Sequence, residues 1–244
     1  MTAVLYALLA AVVVLIIAAI RFFRRATQDI SLVRTGLGGT RVAIGGGLIH
    51  VPLLHNLTRV SMNTMRLELA RTHDKALITG DRMRADVVAE FYVRVRPDRD
   101  AVALAAQTLG SRTLDPNELK GLVEGKFVDA LRSVAAEKTM EELHANRRAF
   151  ARAVTEQLAE SLDKNGLELE SVSITALDQT SIEYFNPSNA FDAEGLTRLT
   201  EQIEQRKKKR NDIEQDTSIA VQRKTLETEK TRLQLEQESE YARL

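Results

Sequence analysis

Residues 3–20 form an uninterrupted apolar run, AVLYALLAAVVVLIIAAI, and this run limits what the rest of the chain can be. It contains no charged side chain. As a helix rising about 1.5 Å per residue it reaches roughly 27 Å, near the thickness of the hydrocarbon core of a membrane. The absence of a polar face argues against a buried core helix. The sequence therefore predicts one N-terminal transmembrane helix as a membrane anchor. Residues spaced along it are Ala3, Leu9, Leu15 and Ile20.

Three cations follow the apolar run, whereas no charged side chain precedes it. They are Arg21, Arg24 and Arg25. Because Lys and Arg beside a span stay on the cytoplasmic side, we expect a single-pass protein with its N-terminus outside and its body in the cytoplasm. A cleaved signal peptide is the alternative, but such a peptide carries its cations before a shorter apolar core.

The overall charge excludes several classes of partner. Lys plus Arg equals Asp plus Glu, at 34 each, so no net charge attracts nucleic acid or an acidic substrate, and we expect no nucleic-acid partner. Cys is absent, which excludes disulfides, thiolate metal sites and thiol catalysis. Any electrostatic recognition therefore has to be local.

Residues 26–97 read as a β-rich module that follows the anchor and its basic flank, residues 1–25. Its clearest strand is Arg84–Val95, where apolar and polar side chains alternate. Between residues 58 and 69 the apolar positions change phase near Asn63, which predicts a β-bulge within one strand.

An apolar run at residues 48–57 crowds around Pro52, and a proline disfavours a central strand. Burial in the core is one interpretation of this run. The other is a loop that dips into the cytoplasmic leaflet beside the anchor. The candidate residues for this second membrane contact are Leu48, Ile49, Val51, Leu53 and Leu54.

Residues 98–180 read as a second module, of helices followed by a strand. Asp115 and Pro116 suit the N-cap and first position of one helix. Thr139 and Glu142 form a capping box that opens a second helix, expected to run to Gly166. A strand begins at residue 167 and should pack under these helices. The predicted fold class is α+β, with antiparallel strands in the first module.

Residues 181–195 read as a linker, and residues 196–244 contain neither Pro nor Gly, which predicts one long helix. A thin apolar seam along it is the candidate oligomer contact. The seam consists of Leu196, Leu199, Ile203, Ile213, Ile219, Leu226 and Leu233. A lone helix with so narrow a stripe gains little from burial, so we expect other copies of the chain to cover it in a coiled coil. The pattern reaches Leu244 without a stop, which predicts continuation in a longer parent chain.

No motif in the sequence predicts catalysis, a cofactor or a metal. The glycines at residues 36–39 and 45–47 lack the spacing and the following helix of a phosphate-binding loop. His50, His55 and His73 have no second ligand nearby on the same element. The basic run at residues 206–210 could meet lipid headgroups or nucleic acid, but acids flank it, so a solvated or salt-bridging face is expected. We expect a protein that is not an enzyme.

Three segments together resemble the flotillin family, within the superfamily of SPFH (Band 7) domains. They are GGTRVAIGGGLIHVPLLHNLTRVSMNTMRLEL at residues 38–69, ALITGDRMRADVVAEFYVRV at residues 76–95 and LESVSITALDQTSIEYFNPSNAFDAEG at residues 169–195. The resemblance is to bacterial inner-membrane members and covers nearly the whole chain. It implies an SPFH domain made of a β module and an α+β module, followed by coiled-coil helices, with no catalytic site.

The resemblance also implies a function, namely a membrane-anchored oligomeric scaffold that forms a ring or cage and organises membrane microdomains. The implied partners are copies of the chain itself, membrane lipids and membrane client proteins, a protease among the candidates. Two alternatives stay open. The chain could regulate a membrane protease, as prohibitin-like relatives suggest, or serve as an export-system adaptor whose body lies outside the cytosol.

Overall fold

The structure of the chain is a computed structural model, which describes residue 6 and residues 9–10, 12–13, 16–17 and 20–242. It forms two compact units, Met1–Phe185 and Asn186–Leu244. The strands are Phe23–Arg25 (β1), Ile30–Gly36 (β2), Arg41–Ala43 (β3), Gly47–Ile49 (β4), His55–Ser61 (β5), Met65–Arg71 (β6), Leu77–Ile78 (β7), Arg84–Val95 (β8) and Leu167–Gln179 (β9). The helices that follow β8 are Arg99–Thr108 (α1), Pro116–Ala136 (α2), Met140–Ala145 (α3), Arg147–Asp163 (α4) and Ala190–Tyr241 (α5).

The strands of the first unit form three antiparallel sheets. β1 pairs with β4 in a two-stranded ribbon, and β2 lies between β3 and β5. In the largest sheet, β8 pairs with β6 and β7 along one edge and with β9 along the other. Residues 26–97 and 98–180, treated as separate modules from the sequence, therefore contribute to one sheet.

Strand β8 is the centre of the core, as its sequence alternation predicts. Every second side chain is fully buried, including Val87, Phe91 and Val93, while the intervening positions are half-buried. Helices α2 and α4 bury their apolar stripes in the same cluster, and the Phe91 and Phe127 rings stack there with centroids 4.3 Å apart. Burial of this alternating strand against two amphipathic helices stabilises the fold of the first unit.

The helix starts confirm the capping residues found in the sequence. The Asp115 side chain accepts from Asn117 N–H, and Thr139 and Glu142 form a capping box. At α1, Asp98 accepts from Ala101 N–H at 2.7 Å, and this bond, together with Arg96, holds the pKa of Asp98 below its usual value. These side chains satisfy backbone donors that the first turn of a helix leaves free.

Two sequence predictions about element boundaries are wrong. The phase change near Asn63 is not a bulge, because β5 ends at Ser61 and β6 begins at Met65 in a different sheet. The helix predicted from Thr139 to Gly166 is interrupted at Asn146, whose backbone leaves the helical region (φ −134°, ψ 65°). Its side chain accepts from Ala149 N–H at 3.2 Å and caps α4, so asparagine starts a new helix where apolar periodicity suggested continuation.

The second unit consists mainly of α5, a helix of 52 residues. Asn189 Oδ1 accepts from Phe191 N–H at 3.0 Å at its start, and ion pairs between residues three or four apart run along its surface. At about 1.5 Å per residue the helix is roughly 78 Å long. Residues 190–195, part of the linker predicted from the sequence, belong to this helix.

Candidate functional site

The β1–β4 ribbon directly follows the helical residues 20–22 within the first unit. Residues 20–22 are helical, β1 begins at the next residue, and His50 N–H donates to Phe22 O at 2.8 Å. Arg21, Arg24 and Arg25 are all exposed here. The cations expected to set the topology are therefore free to meet solvent or headgroups.

The anchor residues of the sequence analysis fall only partly in the described chain. Leu9 and Ile20 are helical and exposed, whereas Ala3 and Leu15 lie outside the described residues. In the parts of the chain that the structure describes, no helix combines the length and the apolarity needed to cross a membrane.

Two loop tips near the ribbon expose a cluster of leucines, which we call the leucine tip: Leu37, Leu53 and Leu54. Leu53 is 93% exposed and Leu37 70%, while Leu54 is about half exposed. The tips are joined, because Leu37 N–H donates to Leu54 O at 3.2 Å. Gly36 makes this approach possible, since a Cβ there would lie 2.3 Å from the Leu54 oxygen and its φ of +129° favours glycine.

His55 fixes the shape of this tip. Val51 N–H donates to His55 Nδ1 at 3.2 Å, which leaves the proton of a neutral ring on Nε2. Nε2 lies 3.0 Å from Leu37 O and donates to it, so one imidazole connects both loops. His50 also contacts this region, with Nε2 3.1 Å from His55 O. These two histidines thus stabilise the conformation of a loop. Their spacing in the sequence, which was considered only for metal binding, could not indicate this role.

The run around Pro52 is divided between core and surface. Leu48 is buried with Ala26, Leu32 and Ala43 in a small second core, so its assignment to a membrane-dipping loop is corrected. Leu48 faces inward because it lies in β4, one residue from exposed Ile49. Val51 is half-buried, and Leu53 and Leu54 are exposed beyond the turn. Leu37 was missed because it stands alone between glycines in the sequence.

The apolar side chains of α5 lie along two lines on opposite sides of the helix. At about 100° per residue, Ile219, Leu226 and Leu233 fall within about 40° of each other, and we call them line A. Line B lies within about 40° of the opposite direction. It consists of Leu199, Ile203, Ile213, Val221 and Leu235, with Leu196 beside it.

The single seam predicted from the sequence is therefore corrected. Because α5 is one continuous helix, Leu196, Leu199, Ile203 and Ile213 cannot share a side with Ile219, Leu226 and Leu233. Leu199 is 5% exposed and Leu196 is half-buried, whereas the other members of the predicted seam are exposed. Val221 and Leu235, which were not part of the predicted seam, are also exposed and extend line B to within about two turns of the end of the helix.

The pKa shifts of the described residues have structural causes. The pKa of Glu142 is lowered because it accepts from Thr139 N–H in the capping box. Burial lowers the pKa of Lys126, whose Nζ donates to Ser161 O at 2.7 Å. Within the described ranges, no group of three or more His, Asp or Glu residues is arranged to hold a metal ion. The described residues do expose apolar side chains, on the leucine tip and along α5.

Comparisons with known proteins agree with this architecture. The sequence model of the SPFH domain / Band 7 family matches residues 26–228. The chain is 51% identical over 224 residues to the "Flotillin family inner membrane protein YqiK" of Escherichia coli, which covers 92% of this chain and 40% of that protein. It is 31% identical over 228 residues to the "Flotillin family inner membrane protein sll1021" of Synechocystis, covering 92% of this chain and 34% of that protein. The chain thus spans about two fifths or less of the length of these relatives.

Proposed function

Because the chain belongs to the SPFH domain / Band 7 family, as a flotillin-like member, we propose that it is a non-enzymatic, membrane-anchored scaffold whose copies assemble side by side. The observation that carries the proposal is the pair of apolar lines on opposite sides of α5. A helix with one apolar line needs one partner, whereas a helix with two needs a neighbour on each side.

Two positions of line A have a member of line B at a similar height along the helix axis. Val221 follows Ile219 by two residues and Leu235 follows Leu233 by two, so paired positions differ by about 3 Å in height. Parallel neighbours in register would therefore place line A of one copy against line B of the next. Such a contact joins two different surfaces, and repetition of it gives a ring if the rotation closes and a filament if it does not.

Membrane anchoring holds the copies parallel in this proposal. The relatives are named inner membrane proteins, which supports a membrane location for this chain. The apolar run at residues 3–20 spans the bilayer, and Arg21, Arg24 and Arg25 keep the following chain in the cytoplasm. All copies then project α5 on the same side of the membrane.

The leucine tip provides a second, weaker membrane contact for each copy. Full burial of an exposed leucine stabilises by about 1.5–3 kcal/mol, so Leu37 and Leu53 make a modest contribution singly. In an assembly of many copies these contacts act together, because binding of one copy raises the effective concentration of the others at the surface. Leu53 and Leu54 of the tip follow β4 closely in the chain, and β1, the partner of β4 in the ribbon, comes directly after the proposed anchor. That position suits insertion of the tip into the cytoplasmic leaflet.

The proposed function depends on the arrangement of the copies and involves no chemical reaction. Laterally packed α5 helices would enclose a patch of membrane as a ring or cage, and lipids and client membrane proteins inside would be separated from those outside. Imaging of particles extracted with a mild detergent tests this. We expect discrete closed particles of many copies, and monomers at every protein concentration would contradict the scaffold.

Membrane contact and topology are tested by one labelling experiment. A photoreactive amino acid in place of Leu53 is expected to crosslink lipids of the cytoplasmic leaflet, because that side chain is almost fully exposed on the leucine tip. The same replacement at Leu122, an exposed leucine on α2, is the matched control and should give little lipid adduct. Equal labelling at both positions would contradict the second membrane contact. Crosslinks to lipids of the opposite leaflet would contradict the proposed topology.

A further inference from the structure

A cavity of about 1000 Å³ lies where the β2–β3 hairpin, the β1–β4 ribbon and α1 meet. Three arginines from three different elements line it: Arg34 of β2, Arg41 of β3 and Arg99 of α1. Asp100 is the single acidic residue in its lining. The cavity therefore concentrates positive charge in a chain whose formal net charge is zero.

These arginines form no close ion pair within the described chain, although Asp100 lies in the same lining. Arg34 and Arg41 are direct cross-strand partners, so their side chains leave the hairpin on the same face, an arrangement of like charges that is unfavourable by itself. Across residues 20–242, no ion pair is formed by Arg34, Arg41 or Arg99. An anion between the guanidinium groups would turn their repulsion into shared attraction.

Arg34 also has an unused donor. Its Nη1 donates to Ile49 O at 3.0 Å, but its buried Nε has no hydrogen-bond partner among the residues that the structure describes. Buried donors are nearly always paired, because an unpaired one loses its bonds to water without replacement. Among the described residues, one backbone carbonyl is thus the acceptor found for the Arg34 guanidinium, a group with five N–H donors, so an anion at its exposed end would satisfy further donors.

The remaining lining matches the chemistry of a lipid headgroup region. The cavity is lined by three apolar side chains that are 40–60% exposed, Phe23, Ile44 and Ile49. The Phe23 ring lies so close to Gly47 that a Cβ there would be 2.1 Å from its Cζ atom. Cations thus stand beside apolar surface that acyl chains could cover.

We infer that this cavity binds a phosphate group, which three guanidinium groups can hold through paired N–H···O bonds. The source that the apolar lining favours is the headgroup of an anionic phospholipid. This choice of source rests on the proposed membrane anchoring, since β1 starts directly after the helical residues 20–22. Recognition of the phosphate itself does not depend on anchoring or assembly.

The test is a calorimetric titration of the purified chain in an uncharged detergent. Dihexanoylphosphatidylglycerol and inorganic phosphate are titrated separately, at constant ionic strength set with sodium chloride. The R41Q/R99Q variant removes two of the cations, and both residues are exposed. We expect it to weaken phosphate binding at least about tenfold, as loss of charge-assisted bonds predicts.

The matched control is R132Q/R152Q, which removes two exposed arginines from α2 and α4 and should change the affinity by less than about twofold, since isolated surface charges contribute little. Binding of the lipid alone supports the inference and identifies a headgroup, and binding of both ligands supports a general phosphate site. Binding of neither, or equal weakening in both variants, overturns it. Particle size and lipid crosslinking are unaffected by these outcomes, so failure here is distinguishable from failure of the scaffold.

Discussion

A chain carrying I219K, L226K and L233K is expected to appear as small species after mild extraction, whereas the unmodified chain is expected to form large particles. The three lysines place charge along line A, where each would lie against line B of a neighbour. Burying an unpaired ammonium group costs several kcal/mol, more than the apolar contact it replaces contributes. Mass photometry of the extracts measures the change directly.

A second variant, I213K/V221K/L235K, charges line B and is expected to have the same effect. The two variants keep complementary surfaces, because the first retains line B and the second retains line A. Mixed together, they should therefore form dimers and nothing larger. Dimers of either variant alone would mean that like lines pair with like, and the proposed ring contact would be wrong.

The matched control for both variants is S218K/T225K/Q234K. These side chains lie about 80–100° from both lines, so they add the same charge to the flanks of the helix. Particles of unmodified size are expected. A collapse with this control as well would indicate that net charge, and not the apolar lines, decides assembly.

Replacing Phe127 with alanine is expected to lower the free energy of unfolding of the first unit by about 3–5 kcal/mol. Phe127 is 1% exposed, and its ring lies 4.3 Å from that of Phe91, with 4° between the ring planes. The substitution leaves a cavity between α2 and the central strand and removes the stacked pair. Since a domain has about 5–15 kcal/mol of stability, this is a large fraction.

Phe127→Leu is the control, because it keeps most of the apolar volume and loses mainly the ring contact, worth about 0.5–1.5 kcal/mol. Denaturant unfolding followed by tyrosine fluorescence reports on this core, since the chain has no Trp and Tyr92 lies on β8. A loss below about 1 kcal/mol for F127A would show that the core refills the space and that the stack is dispensable.

Local features of the fold were accessible from the sequence because local forces determine them. The alternation of β8, the Asp115 cap and the Thr139–Glu142 capping box were all predicted and confirmed. The pairing of β8 with β9 was not predicted, because no local pattern reports which distant strands meet. Asn146 was missed because Leu143 and Phe150 continue a helical spacing across the break.

The candidate surfaces were predictable to different degrees. The apolar run at Pro52 correctly indicated a loop, but only the structure shows that Leu48 faces the small core and that Leu37 N–H donates to Leu54 O across the two loops. The two lines of α5 follow from 100° per residue once the helix is known to be continuous. The arginine cavity depends on register and on α1, so residues as distant in sequence as Arg34 and Arg99 meet only in three dimensions.

The position of β8 between strands that are distant in sequence also determines when its sheet can be completed during biosynthesis. One of its edges is covered by β6 and β7, which precede β8 in the chain. The other edge pairs with β9, which begins only at residue 167 and is therefore synthesised later. At about 5–20 residues per second the ribosome needs roughly 4–14 s to make the intervening helices. During that interval each nascent chain presents an open strand, and neighbouring ribosomes on one messenger hold several such strands close together.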